Sequence, residues 1–388
     1  MRQVFALALV GGGLALAVPL LAQDQMTAEQ QKDWFVSFVE GQLSTPDRQI
    51  RLSNIDGALS SQASIREVTI SDKEGVWLRI TNAAIDWDQG ALFTGRLLVR
   101  ELSADSIEYL RNAIPSDDVN LPPPEATPLQ VPEFPVAIQL DKLAVPKVTF
   151  GEGVFGLGSE ISLSGSLKLE GGSLTSALEV TRLDGPGGEL SANVAYTKGD
   201  NAVDVAVTLT EPPNGIVANL LNIEGKPEIA LSVTGKGPVD NLVTAMALDA
   251  GGTRALEGAA TISGVAEGLS INADLGGPIG TLVAPDYRAF FGQQTRLQAT
   301  ALVKSAGGVE VSNLKLSGGQ LALEGNFATT ADGFLNRLLL SGVVADPNGG
   351  AVVLPVPGGA TTIERADLSV DFGSAGGDGW TANVAAQG

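Results

Sequence analysis

The chain has 388 residues, 44% hydrophobic but only 5% aromatic, with 48 glycines and neither histidine nor cysteine. Those two absences exclude Ser-His-Asp and Cys-His nucleophilic sites, His/Cys zinc sites and disulfides. With 44 acidic against 24 basic residues the net charge is −20. Such a surface repels phosphate backbones, so nucleic acid is disfavoured, and any lipid contact must rest on apolar surface.

Arg2 precedes an apolar run from Val4 to Leu21, which ends at Ala22 before the polar Gln23-Asp24-Gln25. A positive start, an apolar middle and a small residue at the exit describe a secretory signal. The run is also long enough to span a bilayer, which takes roughly 20 residues. Residues 1–22 therefore read as a signal peptide cleaved at Ala22 or as an inner-membrane anchor. In either case Val4, Phe5, Leu7, Leu9, Leu14, Leu16, Leu20 and Leu21 face the membrane.

The mature chain divides by pattern into three parts: a helix and first β segment at 23–114, a linker at 115–135 and a long β domain at 136–388. Thr27 followed by Gln30 fits a capping box, and Trp34, Phe35, Phe38 and Val39 share one face of a helix from Thr27 to Leu43. That helix either caps the first strands or lies at the membrane surface. From Ile50 the period becomes two: Arg66-Val68-Ile70, Leu78-Ile80, Ala83-Ile85-Trp87 and Leu97-Val99 alternate with polar residues. Seven prolines between Pro115 and Pro135 then mark the linker, because proline donates nothing to a sheet ladder.

Alternation resumes with Ile138-Leu140, Val148-Phe150, Ile161-Leu163, Leu167-Leu169 and Val203-Val205-Val207-Leu209. It continues through Ile229-Leu231-Val233, Leu297 to Val303, Leu314-Leu316, Leu321-Leu323 and Leu368-Val370-Phe372. Gly-Gly pairs such as Gly171-Gly172, Gly307-Gly308 and Gly318-Gly319 separate these runs. Short alternating runs bounded by glycine turns are antiparallel strands with one apolar face. Two short helices are expected at Gly215 to Leu221 and Pro285 to Phe291, plugging or capping the sheet. A strand-like run reaches the last residues, so the sheet is expected to continue past Gly388.

The chemical motifs dissolve on inspection. Gly151, Gly153 and Gly156 spell G-x-G-x-x-G after a strand, but Glu160-Ile161-Ser162-Leu163 follows as another strand, so a glycine-rich turn is expected. Asp371-Phe372-Gly373 stands in a chain with no histidine for a kinase catalytic loop. Asp86 with Asp88, in a turn-like stretch, and Asp117 with Asp118, in the linker, read as solvated acids rather than a glycosidase pair. Gly376-Gly377-Asp378 reads as a turn. The chain is expected to be no enzyme and to need no metal or cofactor.

One ordered set of segments carries a resemblance: Arg51 to Leu59, Ile65 to Asp72, Gly75-Val76-Trp77-Leu78, Ile85-Asp86-Trp87, Gly95-Arg96-Leu97 and Glu101-Leu102-Ser103-Ala104. Pro285-Asp286-Tyr287-Arg288, Phe290-Phe291-Gly292 and Val353-Leu354-Pro355-Val356-Pro357 extend it. In this order they resemble the N-terminal region of the TamB family, the inner-membrane subunit of the translocation and assembly module, within the AsmA-like group. The resemblance implies an elongated, curled, half-open antiparallel sheet (a β-taco) in the periplasm. It implies phospholipid transfer towards the outer membrane and support of outer-membrane protein assembly, with a BamA-like barrel (TamA) as partner through a C-terminal part not included here.

A sheet with one apolar face needs a second layer or an apolar guest. The expected lining of such a groove is Ile138, Leu140, Val148, Phe150, Ile161, Leu163, Leu167, Leu169, Val203, Val205, Val207, Leu209, Ile229, Leu231, Val233, Leu314, Leu316, Leu321 and Leu323. The competing expectation is a closed scaffold that holds nascent outer-membrane strands by edge pairing. Alternation alone is the same in both.

Overall fold

The computed structural model describes residues 37, 40, 44–45, 48–57, 60–114, 137–185, 187–331, 333–354, 361–374 and 380–387. The N-terminal apolar run, most of the expected helix up to Leu43 and the proline-rich stretch lie outside these residues. The described chain is mainly β, antiparallel sheet with few small helices. It forms two units, Met1–Asp118 with Ile138–Ser166, and Val119–Ala137 with Leu167–Gly388.

The first unit contains β1 (Gln49–Asp56), β2 (Gln62–Asp72), β3 (Gly75–Asp88), β4 (Arg96–Ser103), β5 (Ser106–Tyr109), β6 (Ala137–Phe150) and the start of β7 (Ser159–Glu170). Successive partners align its apolar residues into rows. Ile50 faces Ile70, which faces Leu78, then Tyr109, then Phe150. Two positions along each strand the row is Leu52, Val68, Ile80, Ile107 and Val148. Between them lies the polar row Arg51, Thr69, Arg79, Glu108 and Thr149. The period-two pattern is thus converted into one apolar and one polar face.

β5 and β6 run parallel, with Ile107 opposite Val148. A parallel pair needs a long connection, and these two strands are far enough apart in sequence to allow one. This pairing places residues 138–166 in the first unit, whereas the sequence pattern puts a division at 115–135. The physical reason is non-local: Val145 and Val148 pack with Ala104 in one cluster.

In the second unit β8 (Ser173–Arg182), β9 (Glu189–Thr197), β10 (Ala202–Glu211), β11 (Ile229–Pro238), β12 (Leu242–Ala250) and β13 (Thr253–Val265) pair in sequence order, all antiparallel. β14 (Gly268–Gly277), β15 (Thr295–Lys304), β16 (Val309–Ser317), β17 (Leu321–Thr329) and β18 (Leu335–Ala345) continue the meander. β19 (Val352–Leu354) and β20 (Thr361–Ile363) form a separate ribbon, after which β21 (Arg365–Ser374) pairs with β18 and β22 (Trp380–Gln387) with β21. The turn between β12 and β13 shows the local logic: Gly251 and Gly252 adopt φ of +59° and +73°, which residues with a Cβ rarely tolerate.

Three connections break this economy, at residues 212–228, 278–294 and 346–364. Each follows an even-numbered strand of an antiparallel meander, so all three emerge at the same end of the sheet, four strands apart. The first carries the helix Ile216–Leu220, the second the helical turns Ile279–Leu282, Pro285–Tyr287 and Arg288–Phe291, the third the ribbon. Both expected helices are therefore present. Together the three connections form a roof over one end of the apolar face.

Candidate functional site

The second unit carries a long apolar face. One row can be followed from strand to strand: Leu178, Ala192, Val207, Val233 and Met246 are successive partners on β8 to β12. The row passes to Gly258, Leu275, Leu297, Leu316 and Leu323, and ends at Gly342 and Leu368 on β18 and β21. It holds no charged residue, and every member is half-buried. Nearer the turns, Leu242, Ile262, Ile271 and Ala301 align in the same way.

The reverse face is polar. Thr208, Ser232, Ala247 and Glu257 form one of its rows. Its charges pair locally, as in Lys236 with Asp204 at 2.9 Å and Arg296 Nε with Asp274 at 2.8 Å. These pairs are exposed and screened, so they contribute to solubility rather than to the fold.

Under the roof the face is closed. Ala218 and Ile223 of the first connection pack on Ile229, Ala250 and Ala255, with Leu282 of the second connection beside them. Phe290 of the second connection joins Val352 of the third on Leu321, Val344 and Ala366. Two charged side chains are buried at this end. The Glu211 carboxylate accepts the backbone N–H groups of Ile216 and Val217 at 2.9 and 2.8 Å, capping a helix whose own N-cap, Gly215, offers no side chain. Arg182 donates to both carboxylate oxygens of Asp184, at 3.1 and 2.9 Å, and to the Asn214 carbonyl. Its hydrogen bonds to the Asp184 carboxylate raise the Arg182 pKa above its ordinary value.

In the first unit the aromatic rings close the face from within. Trp77 meets Tyr109 edge-on at 5.7 Å, Tyr109 meets Phe150 at 6.0 Å, and Phe150 meets Phe155 at 4.9 Å.

No family model, curated protein or solved structure matches this chain. Among the described residues no helix is long and apolar enough to cross a membrane. The expected membrane-facing residues, Val4 to Leu21, lie outside them.

The expected lining residues separate into two groups. Val203, Val205, Val207, Leu209, Leu231, Val233, Leu314, Leu316 and Leu323 are half-buried in the second unit, as is Leu167 at its first strand. Val148, Leu169, Ile229 and Leu321 are 6, 7, 2 and 8% exposed and are core, not lining. Phe150, Ile161 and Leu163 pack on the Val145–Val148 cluster of the first unit. Ile138 and Leu140 are half-buried on β6. The sequence pattern passed over Leu178, Met246 and Leu275, whose strands mix leucine with alanine, glycine and threonine and so alternate only weakly.

The rejected motifs have structural roles. Gly151 to Gly156 enclose a single helical turn, Glu152–Phe155, which Gly156 ends at φ +72°; the expected plain turn is a short helix. Asp86 lies on β3 rather than in a turn, and Arg100 beside it lowers its pKa. Asp88 caps the turn Gln89–Leu92 through the Ala91 N–H. Asp371 sits on β21 with Arg337 as partner. Asp117, Asp118 and Gly376 to Asp378 lie outside the described residues.

Proposed function

We propose that this chain is a TamB-like envelope protein that carries phospholipid acyl chains on the apolar face of its second unit, between the inner and outer membranes, in support of outer-membrane protein assembly. The observation that carries the reading is the uncharged row from Leu178 to Leu368, aligned by strand register and half-buried along its whole course. A closed core would have driven these side chains to full burial, as the roof does to Ile229 at 2% exposure. Each CH₂ of a guest chain removed from water contributes roughly 0.8 kcal/mol, so the row can hold acyl chains with no charged site. Its members differ in size, from Gly258 and Gly342 to Leu and Met, but none carries a charge that would trap a guest at one point. The ordered resemblance of residues 51–104 to the TamB family supplies the cellular setting.

The test is native mass spectrometry with lipid extraction on the full chain, purified in mild detergent and then exchanged out of it. Wild type should retain phospholipid. A Val205→Glu, Leu231→Glu, Leu297→Glu variant should lose it while its β circular dichroism persists, and a reverse-face Thr208→Glu, Ser232→Glu variant should keep it. A folded, lipid-free wild type sinks the proposal and leaves the edge-pairing scaffold.

A further inference from the structure

The roof gives the apolar face a direction, and we infer that a bound amphiphile lies along the strands with its chain end under the roof and its polar head at the opposite, tight-turn end. This inference rests on the lipid-binding reading and names the class of cargo it admits: amphiphiles with a single polar head.

The two ends of the sheet differ in chemistry. At one, residues of the connections 212–228 and 278–294 and the ribbon residues Val352, Leu354 and Ile363 cover the face, and Ala218, Ala255 and Val352 are wholly buried. The buried charged groups there, Arg182 and Glu211, already spend their hydrogen bonds on Asp184, Asn214 and the helix N-terminus. A headgroup placed under this roof would lose its water and find no partner, which is unfavourable for any polar group.

At the other end the strands return through short turns at 198–201, 239–241, 266–267 and 305–308, of which only 239–241 carries a helical turn, with Val239 buried. Asp200, Asn201, Asp240, Asn241 and Glu267 are exposed there, and a headgroup beside them stays hydrated. Leu242, Thr244 and Val311 at this end are buried, but Val203, Ile262, Ile271 and Phe327 remain half-buried. A chain lying along β10 from this end meets Val203, Val205, Val207 and finally Leu209, which packs against the roof cluster. The strand has ten residues and, at about 3.3 Å per residue, spans roughly 33 Å. That length accommodates an extended acyl chain with its head left outside. A molecule with polar groups at both ends would have to bury one of them.

The chain has no cysteine, so a single label can be placed at will. Fluorophores on Val203→Cys and on Leu190→Cys, the cross-strand partner of Leu209, report the turn end and the roof end. Thr208→Cys reports the reverse face. Each full-length protein is loaded with phosphatidylcholine bearing a nitroxide on the headgroup, or on the end of the acyl chain. We expect the Val203 label to lose more fluorescence to the head-labelled lipid and the Leu190 label to lose more to the chain-end lipid, with Thr208 unaffected. Equal or reversed quenching at the two positions overturns the orientation while leaving lipid binding intact. Quenching by neither lipid at either position overturns the lipid-binding reading, and the orientation with it. If Leu190→Cys fails to fold by circular dichroism, Val180→Cys, its partner on β8, takes its place.

Discussion

Arg111 Nη1 donates to Asp72 Oδ2 at 2.8 Å, closing a contact between the end of β2 and the segment that leaves β5. The same carboxylate accepts the backbone N–H groups of Glu74 at 2.9 Å and Ile114 at 3.0 Å. The Asp72 side chain is only 3% exposed. One acid thus ties the β2–β3 turn to the start of the proline-rich crossover.

The hydrogen bonds from Arg111 hold the Asp72 carboxyl well below the usual carboxylate range, against the opposing effect of burial. A depressed folded pKa means that the stabilisation is present above the unfolded value, about 3.9, and fades as pH falls below it towards the folded one. Asp72→Asn should therefore lower stability near neutral pH by about 1–2 kcal/mol, the worth of the weakened charge-assisted bonds, with solvent reaching Arg111 limiting the loss. In urea unfolding the gap between wild type and variant should stay level from pH 6 to about 5 and then narrow as pH is lowered through about 4 towards 2. A constant gap across that range refutes the assignment.

Glu211 offers a second test. Its two oxygens cap the helix Ile216–Leu220, and removing them leaves two half-buried N–H donors without this partner. Glu211→Ala should cost roughly 2 kcal/mol in thermal or denaturant unfolding. Glu211→Gln keeps one acceptor oxygen and should cost less. If both substitutions are neutral, the roof does not depend on this cap.

Glycine at position 342 is set by crowding. A Cβ there would run into the Ala322 carbonyl oxygen and the Leu323 side chain on the neighbouring strand. Gly342→Ala should destabilise by about 1–3 kcal/mol, as overpacking does in well-packed sites. Gly333, in the turn before β18, has nothing within 4 Å of its Cβ position, so any cost of Gly333→Ala comes from its φ of +93° alone. The m-value should stay constant for both in urea titrations. A stabilised Gly342→Ala protein would contradict the close approach of β17 and β18.

The surface ion pairs predict an absence of effect. Arg296 and Asp274 are both largely exposed, so Arg296→Ala should leave the unfolding midpoint within experimental scatter at physiological salt. A marked drop would mean that the polar face contributes more than solubility.

Much of this architecture is written locally. Val203-Val205-Val207-Leu209 and Ile229-Leu231-Val233 announce β10 and β11, and the Gly-Gly turns announce many of the hairpins, because side-chain alternation and positive φ are properties of a few adjacent residues. β12 and β13 were harder to see, since Ala245, Ala247, Ala259 and Ala260 blur the contrast between faces. The short helices at 216–220 and 288–291 were visible too, although what they cover was not.

The sequence by itself determined that this chain forms antiparallel strands with one apolar and one polar face, and it excluded His- and Cys-based chemistry. Only the tertiary structure decided which apolar residues are core and which remain half-buried. Val148 and Val205 read alike in the chain, yet one is packed into the first unit and the other stays half-buried on the apolar face of the second. The parallel pairing of β5 with β6, the Asp72–Arg111 contact and the gathering of three connections at one end of the sheet are likewise tertiary. Each joins residues far apart in sequence, whereas alternation records only the side of its own strand on which a residue falls, not what is packed against it.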